Sequence, residues 1–273
     1  MVENKNQIFL TLDSLRWDVF KNANLPFLKS LGCWKKAYTP ANYTLPAHMS
    51  FFMGKLPQTL DKTDYYDSTA LHIEGIFKKK YIRKIPFWRL INPESGRDSK
   101  YQFSGANIIQ GFKDLGYFTV GSGAASWFNN ELAPGKYLTE DFDVFSFFDG
   151  PDFQSLKSAK KQVHWAKNNL ANLSQPYFLF INFGETHHKF IYEGCDWEFD
   201  KKNPYGNRKE CLYRQMKCIE FLDREIESLL SGLTNYELII CSDHGEAMGE
   251  SGLWGHGFHH KTIVEVPLLI STE

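Results

Sequence analysis

Residues 8–14 read Ile-Phe-Leu-Thr-Leu-Asp-Ser, a short apolar run that closes on two polar residues. A continuous apolar run of this length is typical of a strand in the middle of a parallel sheet. Because α/β folds place ligands at the carboxyl ends of such strands, Asp13 is a candidate ligand. The alternative is that Asp13 only caps a helix that begins just after it.

Similar runs recur along the chain and alternate with helical patterns. The predicted strands cover residues 118–121, 143–148, 177–183, 236–241 and 264–270, and the predicted helices cover residues 106–115, 153–172 and 207–230. This alternation predicts an α/β fold with a largely parallel central sheet flanked by helices. Pro267 predicts that the last strand lies at an edge of the sheet or starts late.

Two of these strands end in residues of the types that bind metals. Residues 185–188 read Glu-Thr-His-His, and Asp243 and His244 follow the strand over 236–241. Strand ends on one edge of a parallel sheet converge, so we expect these side chains to lie near Asp13. Carboxylate, imidazole and hydroxyl ligands suit zinc, manganese, magnesium or calcium. The alternative for Asp243 and His244 is a helix cap beside a buried histidine.

Residues 44–48 read Thr-Leu-Pro-Ala-His. Proline favours the first turn of a helix, so Thr44 is expected at or just before a helix N-terminus, where free N–H groups and the helix dipole suit a tetrahedral anion. A hydroxyl held there could attack phosphorus or sulfur, and a bound divalent ion would favour its alkoxide. The alternative is that Thr44 is only an N-cap.

Composition excludes several function classes. Over 273 residues the net charge is -1, so no global field attracts nucleic acid or an anionic membrane, and no apolar run is long enough to span a bilayer. Residues 1–7 lack a signal-peptide pattern and the five cysteines lack zinc-like spacing, which predicts a cytoplasmic protein with reduced thiols.

Residues 55–105 are predicted to form loops, whose basic run over 78–84 is a solvated surface or lines an entrance for an anionic substrate.

Four segments together resemble the motifs of the alkaline phosphatase superfamily, in its sulfatase-like branch. They are Asp13-Ser14-Leu15-Arg16, Thr44-Leu45-Pro46-Ala47-His48, Glu185-Thr186-His187, and Ser242-Asp243-His244-Gly245-Glu246 through Gly255-His256-Gly257. Their order and spacing agree over nearly the whole chain. The resemblance implies one sulfatase-like metallohydrolase domain over residues 1–273, without the C-terminal subdomain of full-length sulfatases.

The resemblance also implies roles for individual residues. Asp13, Asp243 and His244 would hold a divalent metal ion, and Thr44 would be the nucleophile that also contacts it. His187 matches a histidine that faces the substrate, and His256 matches a histidine that ligates a second metal in some branches, which makes the count one or two ions per chain. With these two histidines, His48 is a further candidate for binding the substrate anion or for acid–base chemistry.

One departure from the family pattern bears on the substrate. True sulfatases carry Cys or Ser at the nucleophile position, which is converted to formylglycine, and this chain has Thr44 there. A threonine nucleophile resembles the phosphodiesterases and phosphoglycerol transferases of the superfamily. We therefore expect a hydrolase or transferase that acts on a small anionic phosphate ester, monoester or diester, through a phosphothreonine. The alternatives are a sulfate or phosphonate ester hydrolase, and a non-catalytic anion-binding protein of the same fold.

Overall fold

The computed structural model describes residues 5–54, 70–72, 82–84, 107–150, 155–198 and 205–271. The strands are β1 Asn6–Leu12, β2 Lys35–Tyr38, β3 Ala70–His72, β4 Ile82–Lys84, β5 Phe118–Gly123, β6 Val144–Phe147, β7 Tyr177–Phe183, β8 Tyr236–Ser242, β9 Ala247–Met248, β10 Trp254–Gly255 and β11 Glu265–Ser271. The helices are α1 Trp17–Asn22, α2 Pro26–Ser30, α3 Thr44–Met53, α4 Ile108–Asp114, α5 Ala133–Thr139, α6 Ser158–Leu170, α7 Arg208–Leu230 and α8 Lys261–Val264.

Seven of the strands form one central sheet in the spatial order β2-β11-β8-β1-β7-β5-β6. The five strands from β8 to β6 run parallel to one another, and β11 is antiparallel to both of its neighbours. β3 pairs with β4 and β9 pairs with β10 in two small antiparallel ribbons. The predicted α/β fold with a largely parallel central sheet is therefore confirmed.

Both faces of the sheet are covered, as the unbroken apolar runs require. Every residue of β7 is buried; Leu179 and Ile181 point to one face and Phe178 and Phe180 to the other. Helices α1, α2, α6 and α7 pack on the first face, and α3, α4 and α5 pack on the second. The central strands therefore lie in the middle of three layers.

The predicted helices agree with the structure to within a few residues at each end. The pattern over 207–230 is α7, and its N-cap Asn207 accepts a hydrogen bond from the backbone N–H of Glu210 at 3.1 Å. Gly116, with φ of 84°, follows α4 as expected for a helix stop. No helix in the described part of the chain combines the length and apolar character needed to cross a bilayer.

Two features of the sheet differ from the sequence prediction. An edge position for Pro267 is wrong, because β11 lies between β2 and β8. Pairing with β8 does start late, at Leu268, so Pro267 faces only Lys36 of β2. β2 itself was not predicted, since its Lys-Lys-Ala-Tyr sequence has no apolar run, which suits the edge strand that it forms. The loops predicted over 55–105 lie outside the described residues, except for β3 and β4.

Replacing Leu179 with alanine is expected to lower the free energy of unfolding by about 2–5 kcal/mol, because the cavity would form between packed layers. Leu179 is fully buried, whereas Leu115, at the end of α4, is 69% exposed. Leu115→Ala is the matched control and should change stability by less than about 0.5 kcal/mol. Urea unfolding gives both values, and equal effects of the two substitutions would contradict the central position of β7.

Candidate active site

Four of the predicted site residues meet at the carboxyl edge of the sheet. Asp13 and Asp243 follow the adjacent strands β1 and β8, and Thr44 is the first residue of α3. Ligand atoms of Asp13, Asp243 and His244 all lie within 4.8 Å of one another. The Oγ1 atom of Thr44 is 3.5 Å from Oδ2 of Asp13 and 3.3 Å from Nε2 of His244. All four side chains are buried.

The carboxylate of Asp243 is held so that one oxygen points into this cluster. Its Oδ1 atom accepts hydrogen bonds from the backbone N–H groups of Ser14 at 3.0 Å and of His244 at 2.8 Å. Ser14 can donate from this position because its backbone is left-handed, with φ of 61°. Within the described part of the chain, nothing donates a hydrogen bond to the buried Oδ2 atom of Asp243. That oxygen is available to a ligand.

His244 presents an unprotonated nitrogen to the same point. Its Nδ1 atom lies 2.9 Å from the carbonyl oxygen of Gly245, which can only accept, so Nδ1 carries the hydrogen. The Nε2 lone pair then faces Asp13 and Asp243, each with an oxygen 3.6 Å away. Gly245 permits this turn, because a Cβ there would lie 2.0 Å from the backbone oxygen of Thr262. A fixed tautomer of this kind is typical of metal-binding histidines.

The electrostatics of these groups fit a divalent cation. Burial, together with the nearby Asp13, raises the pKa of Asp243 well above its ordinary value. Burial, together with the nearby His256, lowers the pKa of His244 well below its ordinary value. A cation among two carboxylates and an imidazole would favour the ionised acid and the neutral ring. Asp13, Asp243 and His244, with the Thr44 oxygen, could therefore hold a metal ion.

Thr44 does not have the simpler role of an N-cap. Tyr43 occupies the cap position of α3, its side chain makes no capping hydrogen bond, and Thr44 lies within the helix. The Thr44 hydroxyl instead faces Asp13 and His244, at the helix end where N–H groups are unpaired. The Thr44 hydroxyl therefore lies both at a helix N-terminus and beside the carboxylate cluster.

A second group of polar side chains lies beside the first. The ring of His256 is 4.4 Å from that of His244 and 5.3 Å from that of His187, measured between centroids. Nδ1 of His256 is 2.7 Å from Oε2 of Glu246. Burial would raise the pKa of Glu246, but the charge and hydrogen bond of His256 outweigh it and bring the pKa well below the ordinary value. The structure therefore brings His187 and His256 next to the carboxylate cluster.

His48 lies elsewhere than expected for a substrate-binding group. It is fully buried, and burial lowers its pKa to about 4, against the opposing effect of its hydrogen bond to Thr44. Nε2 is 2.9 Å from the hydroxyl of Thr11, and Nδ1 is 2.8 Å from the carbonyl oxygen of Thr44. Both nitrogens thus contact protein atoms, which leaves neither for an anion.

Glu185 also points away from the cluster. Its Oε1 atom accepts hydrogen bonds from the hydroxyl of Ser158 at 2.5 Å and the backbone N–H of Ala159 at 2.8 Å, at the start of α6. Its carboxylate therefore anchors a helix. His188 packs against Tyr205, with ring centroids 4.1 Å apart.

Two residues that support the second group are not evident from the sequence. Glu246 holds His256, and the hydroxyl of Tyr205 donates to Oε1 of Glu246 at 3.1 Å. A carboxylate ten residues before a histidine gives no periodic signal, because the β9–β10 ribbon brings the two together. Tyr205 comes from the segment just before α7, whose distance in sequence conceals the contact.

Comparison with known proteins identifies the family and the fold. A family model described as Sulfatase matches residues 5–273. A choline-sulfatase from Rhizobium meliloti (strain 1021) is 20% identical over 327 residues, covering 97% of this chain, and the chain spans only 62% of that relative's length. The C-terminal periplasmic domain of phosphoethanolamine transferase EptC from Campylobacter jejuni superposes with a TM-score of 0.65 at 13% identity, over 98% of this chain and 78% of that one. A phosphonate monoester hydrolase from Agrobacterium radiobacter gives 0.58 at 13% identity, over 98% and 68%. This chain belongs to the sulfatase family.

Proposed function

We propose that this chain is a metal-dependent hydrolase or transferase of phosphate esters in which Thr44 is the nucleophile. One observation carries the proposal: the Thr44 hydroxyl lies within 3.5 Å of both Asp13 and His244, at a helix N-terminus. A threonine hydroxyl does not ionise at neutral pH unaided. At this position the helix N-terminus and a bound cation would both favour the alkoxide. Two of the structural neighbours named above are, by name, a phosphoethanolamine transferase and a phosphonate monoester hydrolase.

The metal site is part of the same proposal. Asp13, Thr44, Asp243 and His244 would hold the ion, for which the buried Oδ2 of Asp243 and the Nε2 lone pair of His244 are suited. Zinc, manganese, magnesium and calcium all fit nitrogen and oxygen ligands of this kind. When bound, a divalent ion favours the threonine alkoxide and neutralises charge on the ester's non-bridging oxygens.

The protein groups then account for the bond changes. Thr44 Oγ1, as the alkoxide, forms a bond to phosphorus, and the bond from phosphorus to the leaving oxygen breaks. His256, kept in place by the Glu246 carboxylate, gives that oxygen a proton. Water or an acceptor alcohol next displaces Thr44 from phosphorus, and the proton that it loses returns to His256. The His187 ring, beside His256, faces the same anion.

A sulfate or phosphonate ester is the competing substrate class. The choline-sulfatase relative favours sulfate by its name, but the formylglycine of true sulfatases derives from Cys or Ser, and Thr44 stands at that position. Turnover of bis-para-nitrophenyl phosphate, para-nitrophenyl sulfate and an aryl phosphonate by the purified metal-loaded chain separates the classes. We expect the phosphate diester to react fastest, and preference for the sulfate would overturn the substrate proposal.

Thr44→Ala is expected to lower kcat for bis-para-nitrophenyl phosphate by about 10⁴- to 10⁶-fold, as the loss of a covalent nucleophile does. Metal content and thermal stability should change little, because three of the four ligands remain. Thr44→Ser is the matched control: it restores a hydroxyl at the same place and should regain measurable turnover. Near wild-type activity in Thr44→Ala would mean that another group attacks.

His256→Ala distinguishes one metal ion per chain from two. If the site holds one ion, the variant keeps the wild-type metal content and loses rate or substrate affinity, because His256 then binds substrate and donates a proton without holding metal. If the site holds two, metal content falls. We expect the first result, since among the described residues one group of three candidate ligands, Asp13, Asp243 and His244, lies close enough together. Elemental analysis beside steady-state kinetics measures both quantities, and no change in either would remove His256 from the site.

A further inference from the structure

A buried chain of hydrogen bonds runs from β7 through β1 to the first turn of α3. Nδ2 of Asn182 lies 3.2 Å from the hydroxyl of Thr11, and that hydroxyl lies 2.9 Å from Nε2 of His48. Nδ1 of His48 lies 2.8 Å from the carbonyl oxygen of Thr44. Thr11, Asn182 and His48 are each 0% exposed. Nothing in the proposed chemistry uses these three side chains.

The direction of each hydrogen bond follows from its partners. Oδ1 of Asn182 accepts from the backbone N–H of Ala125 at 3.1 Å, so its amide nitrogen is the atom that faces Thr11 and can only donate. The Thr11 hydroxyl accepts that bond and gives its own hydrogen to Nε2 of His48. The carbonyl of Thr44 can only accept, so Nδ1 of His48 carries the ring hydrogen. All three hydrogen bonds can form together only with these donors and acceptors, and His48 is then neutral.

The surroundings of His48 leave the ring one orientation. Aromatic rings of Phe51, Phe52, Phe128 and Phe180 contact it edge-on, with centroids 4.9–6.2 Å away. The carboxylate of Asp243 has its Oδ2 atom 3.8 Å from Nδ1 of His48, beyond hydrogen-bond distance. In such apolar surroundings an unmade hydrogen bond is costly, so the ring is held by its two partners.

These hydrogen bonds fix Thr44 relative to Asp13. Thr11 lies two residues before Asp13 on β1 and pairs in register with Asn182 of β7. The same strand therefore holds one candidate metal ligand and, through His48, the backbone of the nucleophile. These hydrogen bonds oppose a displacement of α3 along the sheet, which would also change the 3.5 Å separation of Thr44 Oγ1 from Asp13.

We propose that His48 is a positioning residue that, with Thr11 and Asn182, locks the first turn of α3 onto β1 and so aligns the Thr44 hydroxyl for attack. The proposal rests on the proposed function, because it concerns the same nucleophile. It assigns His48 no contact with substrate and no proton transfer. Loss of these hydrogen bonds should therefore lower kcat and leave KM and metal content unchanged.

Paired variants of the full-length, metal-loaded chain test this with bis-para-nitrophenyl phosphate. Thr11→Val removes the hydroxyl at nearly constant shape and should lower kcat by about 10- to 100-fold, the cost of a small misplacement of a reacting group. Thr11→Ser keeps the hydroxyl and should recover most of the rate. His48→Asn keeps a donor near the Thr44 carbonyl and should retain more activity than His48→Leu.

Ser50→Ala controls for stability alone. Ser50 is buried on α3, and its hydroxyl donates to the carbonyl of Pro46 at 2.8 Å, the residue four before it, as His48 donates to Thr44. Its loss should lower the melting temperature to a similar extent as Thr11→Val without the fall in kcat. An equal fall in kcat in Ser50→Ala and Thr11→Val would reduce the effect to general destabilisation and overturn the inference.

A spectroscopic measurement on the wild-type protein reports the ring directly. In protein labelled with ¹⁵N and ¹³C histidine, the ring resonances of His48 should report a neutral ring protonated on Nδ1, and substitution of His48 assigns them. A ring protonated on Nε2 would overturn the inference. A wild-type kcat in Thr11→Val would also overturn the inference. The proposed function would still stand if Thr44→Ala is inactive. Absence of turnover by wild type would overturn the proposed function, and the inference would fall with it.

Discussion

Two carboxylates, those of Asp13 and Asp243, are buried beside each other, with the Nε2 atom of His244 at 3.6 Å from an oxygen of each. Negative charges this close in the absence of water repel strongly, and a neutral imidazole cannot compensate them. The arrangement needs either a proton or a cation between the oxygens. A site that keeps three such groups together at this cost in stability is one selected for binding or chemistry rather than for folding.

The sheet supplies this arrangement, and buried side chains keep it rigid. β1 and β8 are neighbours in register, so residues that follow them emerge side by side. Gln215 of α7 donates through Nε2 to the carbonyl oxygens of Ser14 and Thr186, both at 2.8 Å. The Thr186 hydroxyl in turn donates to the carbonyl of Asp13 at 2.6 Å. The loops after β1 and β7 are therefore tied to each other and to a long helix, as a preorganised site requires.

Sequence alone predicted the apolar strands of the central sheet and the residues that follow them, because apolar runs and strand ends are properties of local pattern. Asp13, Asp243 and His244 were found in this way, and they do converge. Side-chain direction is not a property of the pattern. Glu185 follows a strand as Asp243 does, but it turns to the N-terminus of α6. The strand β2 was missed because its sequence has no apolar run, and the edge alternative for Pro267 is wrong because β2 pairs outside β11.

The supporting residues were beyond the reach of the sequence for a related reason. Thr11 and Asn182 stand inside apolar runs and look like ordinary strand residues, and their role appears only when β1 and β7 pair in register. His48 was a candidate for binding the substrate anion, but one turn of α3 places its ring on the side of Thr44 that is packed with phenylalanines. Spacing along a helix shows which side of the helix a residue lies on, but the tertiary packing determines which residues contact that side.

The claim on which the account depends is that Thr44 forms a covalent bond to the transferred group. Rapid acid quench of the metal-loaded chain during turnover of bis-para-nitrophenyl phosphate, followed by peptide mass spectrometry, tests it most directly. A phosphoryl adduct is expected on the peptide that contains Thr44, located at that residue by fragmentation. An adduct on any other side chain, or release of both products in a single turnover without an adduct, would contradict it.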